Sequence, residues 1–351
     1  MDQWGTNTTH FTYGDTGTDG SQGAGIDVVA YTTGQASWSS EALPVDSGVV
    51  YEFTDRYRCD VDSDVEGVVT LDDGTTSKIP MLPALASADW TSYRTHLYLP
   101  PGARSLRIFH GLARVGRLAL DDLSLTAVRP APFKRGLVSL TFDDGWLSDY
   151  TQAMPLLARH GMLATHYVVT GLIGAQNRLS LAMLRELKAR GDEIAPHTVT
   201  HLDFNELATT DMTRELEDSK RFLTDNGFDS ATDFASPTGE YNSDTLAEIR
   251  RLFTSHRTVY VGYNDRDTFD IYQLRSHSMR SSIAVAEVEA WVARAAADHT
   301  WLIITYHDIV DRDGSVYSTT PAELDAQLGV IERLGVQVVT VREALNELLP
   351  Q

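Results

Sequence analysis

The sequence predicts two domains, an all-β sandwich over residues 1–130 and a β/α domain over residues 131–351. Three observations predict this division. Between Ile26 and Val128 the hydrophobic pattern often has period two, as strands with one buried and one wet face require. The segment Arg129-Pro130-Ala131-Pro132-Phe133-Lys134-Arg135-Gly136 then interrupts the pattern, because two prolines so close do not fit regular strand pairing. Beyond it, apolar strand-like runs alternate with helix-period segments. Repeated units of that kind imply a parallel sheet or barrel, with ligands at the carboxyl ends of the strands.

Residues 1 to about 24, rich in Gly, Thr and Asp, read as an irregular lead-in. Tyr93, Thr95, Leu97 and Leu99 alternate with Arg94, His96 and Tyr98 as a half-buried strand would. Val68 to Leu71 runs into Asp72-Asp73-Gly74, a hairpin-turn signal, before Ser77-Lys78-Ile79 resumes. Leu106 to Phe109 and Leu118 to Leu125 supply further strands, and no clear helix-period segment interrupts them. In the second domain Leu137 to Phe142 reads as a strand and Asp149 to His160 as a helix. Ala164 to Thr170 is a strand, and Leu181 to Arg190 a helix stopped by Gly191. Thr320-Pro321-Ala322-Glu323 has the form of a capping box. The helix it opens carries Leu324, Leu328, Ile331 and Leu334 on one stripe and stops at Gly335, before a last strand from Gln337 to Thr340.

Composition bounds the function. The net charge of −20 argues against nucleic acid and anionic membrane as partners. No run of eighteen apolar residues is present to span a bilayer. Cys59 is the only cysteine, so an intramolecular disulfide and a thiolate metal cluster are both excluded. Lysine is confined to Lys78, Lys134, Lys188 and Lys220. Scarce lysine with abundant Asp fits either a GC-rich genome or adaptation to high salt. The opening Met1-Asp2-Gln3-Trp4 lacks the basic and apolar regions of a signal peptide.

Three groups of residues carry chemistry. The strand ending in Thr141-Phe142 runs into Asp143-Asp144-Gly145, and adjacent strand residues point opposite ways unless the chain turns, which Gly145 permits. One carboxylate can then bind a metal while the other faces a reacting carbonyl. An isolated Asp-Asp-Gly is more often a solvated turn; the histidines shift the balance. His197 and His201 lie four apart, the spacing that sets two imidazoles on one side of a helical turn. Two imidazoles and one carboxylate leave coordination positions open for water and substrate. His307 follows the apolar run Trp301 to Tyr306. A histidine there is as often packed as functional, but beside a metal site it is a natural proton donor to a leaving group.

Thr141-Phe142-Asp143-Asp144-Gly145, His197-Thr198-Val199-Thr200-His201 and Leu302-Ile303-Ile304-Thr305-Tyr306-His307-Asp308 resemble the first, second and fifth motifs of the polysaccharide deacetylase (NodB-homology) family. The resemblance covers about residues 135 to 348. It implies a distorted (β/α) barrel in which Asp143 is the general base and His307 the general acid. It also implies that Asp144, His197 and His201 bind one divalent metal ion, usually zinc. The substrate it implies is an acetylated polysaccharide, most often an amino-sugar polymer, and an extracellular or cell-surface location is expected. One motif departs from the pattern. Where the family commonly has Arg-x-Pro-Tyr/Phe-Gly, this chain has Ala235-Ser236-Pro237-Thr238-Gly239, followed by Glu240-Tyr241-Asn242. The backbone N–H of Thr238 can still serve an oxyanion, and Tyr241 is the nearby candidate for substrate contact. The arginine that would orient the base is missing, and Arg275, in the β-like run Tyr272 to Arg275, is the candidate replacement. The fourth motif is not recognisable.

The first domain resembles more loosely the β-sandwich, jelly-roll-like carbohydrate-binding modules, through Leu99-Pro100-Pro101-Gly102-Ala103 and Leu118 to Leu125. Trp4, Tyr31, Trp38 or Trp90 could stack on a sugar, although aromatics in such sandwiches more often belong to the core. The expectation is therefore a metal-dependent N-deacetylase. An O-acetyl esterase of the acetyl-xylan type and an inactive carbohydrate-binding protein are its rivals.

Overall fold

A computed structural model describes residues 1–349 except 19, 205–206, 229–230 and 312–314. The chain separates into two compact units, Met1–Pro130 and Ala131–Gln351.

The first unit holds eleven strands among the described residues: β1 (Asp2–Trp4), β2 (Asn7–Thr16), β3 (Gln22–Tyr31), β4 (Gln35–Ser39), β5 (Leu43–Pro44), β6 (Val50–Cys59), β7 (Asp64–Leu71), β8 (Thr76–Pro80), β9 (Ser87–Tyr98), β10 (Ala103–Leu112) and β11 (Gly116–Val128). They form two antiparallel sheets. One runs β1-β4-β10-β7-β8 with β5 also on β10, and the other runs β2-β3-β11-β6-β9. The inward residues of both, among them Val69, Leu106 and Ile108 of the first and Ile26, Phe53, Leu97 and Leu118 of the second, share one apolar core. The hairpin expected at Asp72-Asp73-Gly74 pairs Val69 with Ser77. The expected irregular lead-in is corrected: β1, β2 and the start of β3 occupy it. Thr and aromatic residues such as Thr8, Thr9 and Phe11 suit a strand better than the glycines around them suggest.

The second unit places β12 (Leu137–Asp143), β13 (Thr165–Val168), β14 (Glu193–Pro196), β15 (Asp233–Ala235), β16 (Ser255–Arg257), β17 (His277–Ser278), β18 (Trp301–Tyr306) and β19 (Gln337–Val338) among helices α1 (Met154–Arg159), α2 (Leu181–Arg190), α3 (Thr209–Asp225), α4 (Ser243–Leu252), α5 (Val285–Asp298), α6 (Pro321–Leu334) and α7 (Val341–Leu348). One all-parallel sheet runs β14-β13-β12-β18-β17 with β19 on β12, and a second pairs β15 with β16. The chain joins them. Leu274 bonds along β16 through His256 and Thr258, and three residues later His277 pairs with Ile304 of β18. At the other edge the His197 imidazole, just past β14, donates to the Ala235 carbonyl of β15 at 2.7 Å. The result is an incomplete (β/α) barrel. β12 is buried at every residue, as a parallel strand covered on both faces must be. Alternation sends Phe142 to the side where it stacks on His166 and Tyr306, and Asp143 to the opposite side.

Candidate active site

Asp143, Pro196, Ala235, Arg257 and Tyr306 end the parallel strands β12, β14, β15, β16 and β18. Their ends, and the first residues beyond them, gather the functional groups on one rim. Asp144 turns away from Asp143 because it and Gly145 both adopt left-handed backbone, at φ 72° and 68°. For a non-glycine residue that conformation is strained and needs external support. Arg178 supplies it by donating to the Asp144 carbonyl at 3.1 Å, while the Trp146 indole donates to Asp144 Oδ2, also at 3.1 Å. Arg178 in turn stacks 3.6 Å over the Trp146 ring. The other oxygen, Oδ1, lies 3.2 Å from His201 Nε2 and 3.7 Å from His197 Nε2.

The His197–His201 segment is a loop, which corrects the expected helical turn. Thr198 and His201 have φ near 66° and 63°. Glu215 of α3 fastens the loop, accepting from the Val199 and Thr200 amides and from the Thr200 hydroxyl, each at 2.8 Å. The imidazoles meet edge to face, 4.9 Å between centroids. His197 gives its Nδ1–H to Ala235, which fixes the tautomer and leaves Nε2 as a lone-pair donor. Burial pulls its pKa down to about 4, so the ring is neutral at ordinary pH. Burial opposes charge on Asp144, but the His201 hydrogen bond outweighs it together with His197 and His307, which are charged at the acid pH where Asp144 titrates, so the carboxyl stays well below its usual range. His201 moves upward, chiefly through the same bond to Asp144.

Asp144, His197 and His201 offer ligand atoms that all lie within 4.8 Å of one another. Two neutral-capable imidazoles and a carboxylate, oriented by the Ala235 carbonyl behind His197 and the Trp146 indole on Asp144, fit a divalent cation of the zinc type. Asp143 is buried, and its Oδ2 is 2.5 Å from Nη2 of Arg257. Asp143 Oδ1 has no hydrogen-bond partner among the described residues. His307 lies on the same rim with its ring 5.2 Å from that of Tyr317.

Two expectations need correction. The cation on Asp143 is Arg257, not Arg275. Arg275 is buried beside Gly262, with its backbone clasped by the Asn264 side chain. Arg257 pairs in register with Ala235, the position that lacks the arginine, so the guanidinium comes from one strand over. Tyr241 is also packed rather than presented. It is 5 % exposed, set edge-on to His256 and Tyr260, and its hydroxyl donates to Gln273. Thr238 is exposed at φ 56°, in the short turn Pro237–Gly239.

Carboxylate, paired imidazoles, cation-held second carboxylate and a further histidine together define a site suited to metal-assisted hydrolysis. Residues 131–254 match the family described as Polysaccharide deacetylase. That segment, which carries Asp143, Asp144, His197 and His201, belongs to the polysaccharide deacetylase (NodB-homology) family. The YxkH protein of Bacillus subtilis (strain 168), which carries a provisional polysaccharide deacetylase name, is 38 % identical over 158 residues, 44 % of this chain and 56 % of its own. A chitooligosaccharide deacetylase of Sinorhizobium fredii is 35 % identical over 87 residues, 24 % of this chain and 39 % of its own. The chain thus spans about half the length, or less, of these curated relatives. Among solved structures, the Xyl-CE4 domain of a multidomain xylanase from the hindgut metagenome of Trinervitermes trinervoides is similar at a TM-score of 0.46 and 19 % identity. That likeness covers 61 % of this chain and 91 % of that domain.

Proposed function

We propose that this protein is a metal-dependent deacetylase that releases acetate from N-acetylated amino-sugar polymer. The observation that carries the reading is the convergence of the Asp144, His197 and His201 ligand atoms beside an Asp143 carboxylate held by a buried arginine. A divalent cation held by those three residues, zinc by preference, would supply a Lewis acid for the attacking water and the acetyl carbonyl. Asp143 takes the proton of that water through its uncommitted Oδ1. The Thr238 amide, on its left-handed turn, is the donor for the developing oxyanion. His307 returns a proton to the departing amine. Arg257 answers the main objection to activity, which was the missing arginine at position 235.

The N-acetyl reading follows the chitooligosaccharide deacetylase among the relatives. The first unit is proposed to be a carbohydrate-binding sandwich located with the barrel outside the cell. Of the four candidate aromatics, Trp4 is the most exposed, at 63 %, whereas Trp38 packs against the core and its indole donates to the Gly25 carbonyl.

The test is acetate release from chitin oligomers and from acetylated xylan, with elemental analysis of the same sample. Release from chitin oligomers by protein holding one divalent ion per chain is expected, and His201→Ala should lose both metal and activity. Release only from xylan would reassign the substrate to O-acetyl esters. Activity in protein shown to hold no metal would overturn the mechanism.

A further inference from the structure

Arg257 is fully enclosed, yet it meets Asp143 through Nη2 alone, and its Nε and Nη1 find no hydrogen-bond partner among the described residues. A buried guanidinium so sparingly bonded needs another contact to hold its place. That contact is the Tyr167 ring, whose centroid lies 5.2 Å from the Arg257 Cζ. Tyr167 sits on β13 in register with Asp143 and is itself fully buried. Its hydroxyl has no partner among the described residues. Burial above all keeps the phenol from ionising, so a neutral ring meets the cation. Tyr167 also packs against Ala195 and Ala235, and Ala235 is the strand neighbour of Arg257.

We propose that Tyr167 is a positioning residue for the reaction: its ring takes the space beside Ala235 and steadies Arg257, supplied from the next strand, against Asp143. The small residue at 235, the ring at 167 and the arginine at 257 are one coupled arrangement. The ring face does the positioning, so a phenylalanine can replace the tyrosine. This rests on the reading of Asp143 as the base.

Two single variants and one rescue test it. Tyr167→Phe should keep kcat within about twofold. Tyr167→Leu should lower kcat by about tenfold or more, with KM and metal content unchanged, since displacement of a base-orienting group costs rate rather than binding. In a Tyr167→Ala background, Ala235→Arg should recover several-fold in kcat, whereas Ala235→Arg alone should lower it. A role in packing alone predicts a lower Tm for Tyr167→Leu with kcat intact, and that result overturns the proposal. Equal losses in the Phe and Leu variants overturn it too, because the hydroxyl would then be acting. Should Tyr167→Leu fail to fold, the Phe variant and the rescue decide. A crystal structure of the variant gives a readout independent of substrate: the guanidinium should leave Asp143, and one still seated there sinks the idea. If the wild-type protein releases no acetate from any acetylated polymer, the functional reading fails on its own, and the crystal structure still decides the positioning.

Discussion

Asp143 and Asp144 are identical side chains made different by their contacts. Asp144 faces two imidazoles and accepts from an indole, which suits a ligand; Asp143 faces one buried guanidinium and keeps an oxygen open, which suits a base. Arg257→Ala should therefore lower kcat by about 10²-fold or more while leaving metal content unchanged. Arg257→Lys should recover little, because an ammonium cannot reproduce both the cation contact with the Tyr167 ring and the reach to Asp143. Steady-state kinetics with metal analysis checks this, and near-wild-type kcat in Arg257→Ala would refute the assignment. The proposed metal ligands and His307 are legible from local signals: Asp143-Asp144, His197 and His307 each follow a strand-like run, and His201 repeats His197 four residues on. Arg257 is not. Its role comes from register with Ala235 across a two-stranded sheet, and nothing local in Ser255-His256-Arg257 announces that pairing. Arg275 ends a β-like run of its own, yet that run only carries the chain between the two sheets.

Elements were legible where capping chemistry marks them. Gly191 closes α2 at φ 111°, and Thr320 with Glu323 forms the reciprocal box at the start of α6. The expected helix over Asp149 to His160 instead opens with a wider π-helical turn, Asp149–Ala153, before α1 begins. Its cause is tertiary rather than local, since Asp149 is buried there facing His166 at 3.7 Å. Burial, the largest cause, pushes the Asp149 carboxyl up to about 7 from an ordinary 3.8. A carboxyl raised in this way binds its proton better folded than unfolded. Its contribution to stability is full below about 3.8 and is lost as pH rises to about 7. Asp149→Asn cannot ionise, so it should gain stability relative to wild type between pH 4 and pH 8, on the order of a few kcal/mol. Urea unfolding of both proteins at pH 5 and pH 8 measures it. A stability difference that stays constant across that range would show that Asp149 does not ionise as its burial implies.

The whole molecule carries 49 acidic against 29 basic side chains, a net charge of −20, while most of its apolar bulk lies in the cores of the two units. Among the described residues no helix is long and apolar enough to cross a membrane. Charge of one sign over a compact surface repels itself and lowers the stability of the folded state. Salt screens that repulsion, because the Debye length falls from about 30 Å at 0.01 M to about 3 Å at 1 M. Sequence composition made this property fully legible, but left two origins for it, a GC-rich genome and adaptation to high salt. Their thermal behaviour differs. Screening alone is nearly complete once the Debye length drops below the spacing of surface charges, so Tm should rise by a few degrees and level off by about 0.5 M NaCl. Adaptation to high salt predicts a rise that continues through several molar. We expect the plateau, because part of the surface acid is already paired: Arg251 bridges Glu217 and Glu248, Arg159 holds Asp325, and Arg333 holds Glu289. Such exposed pairs each contribute little and weaken as salt rises, which opposes a continued gain. Thermal unfolding in NaCl, rather than in a strongly excluded salt such as sulfate, isolates the electrostatic effect. A Tm still climbing at 3 M NaCl would reject screening as the sole effect and favour the high-salt origin.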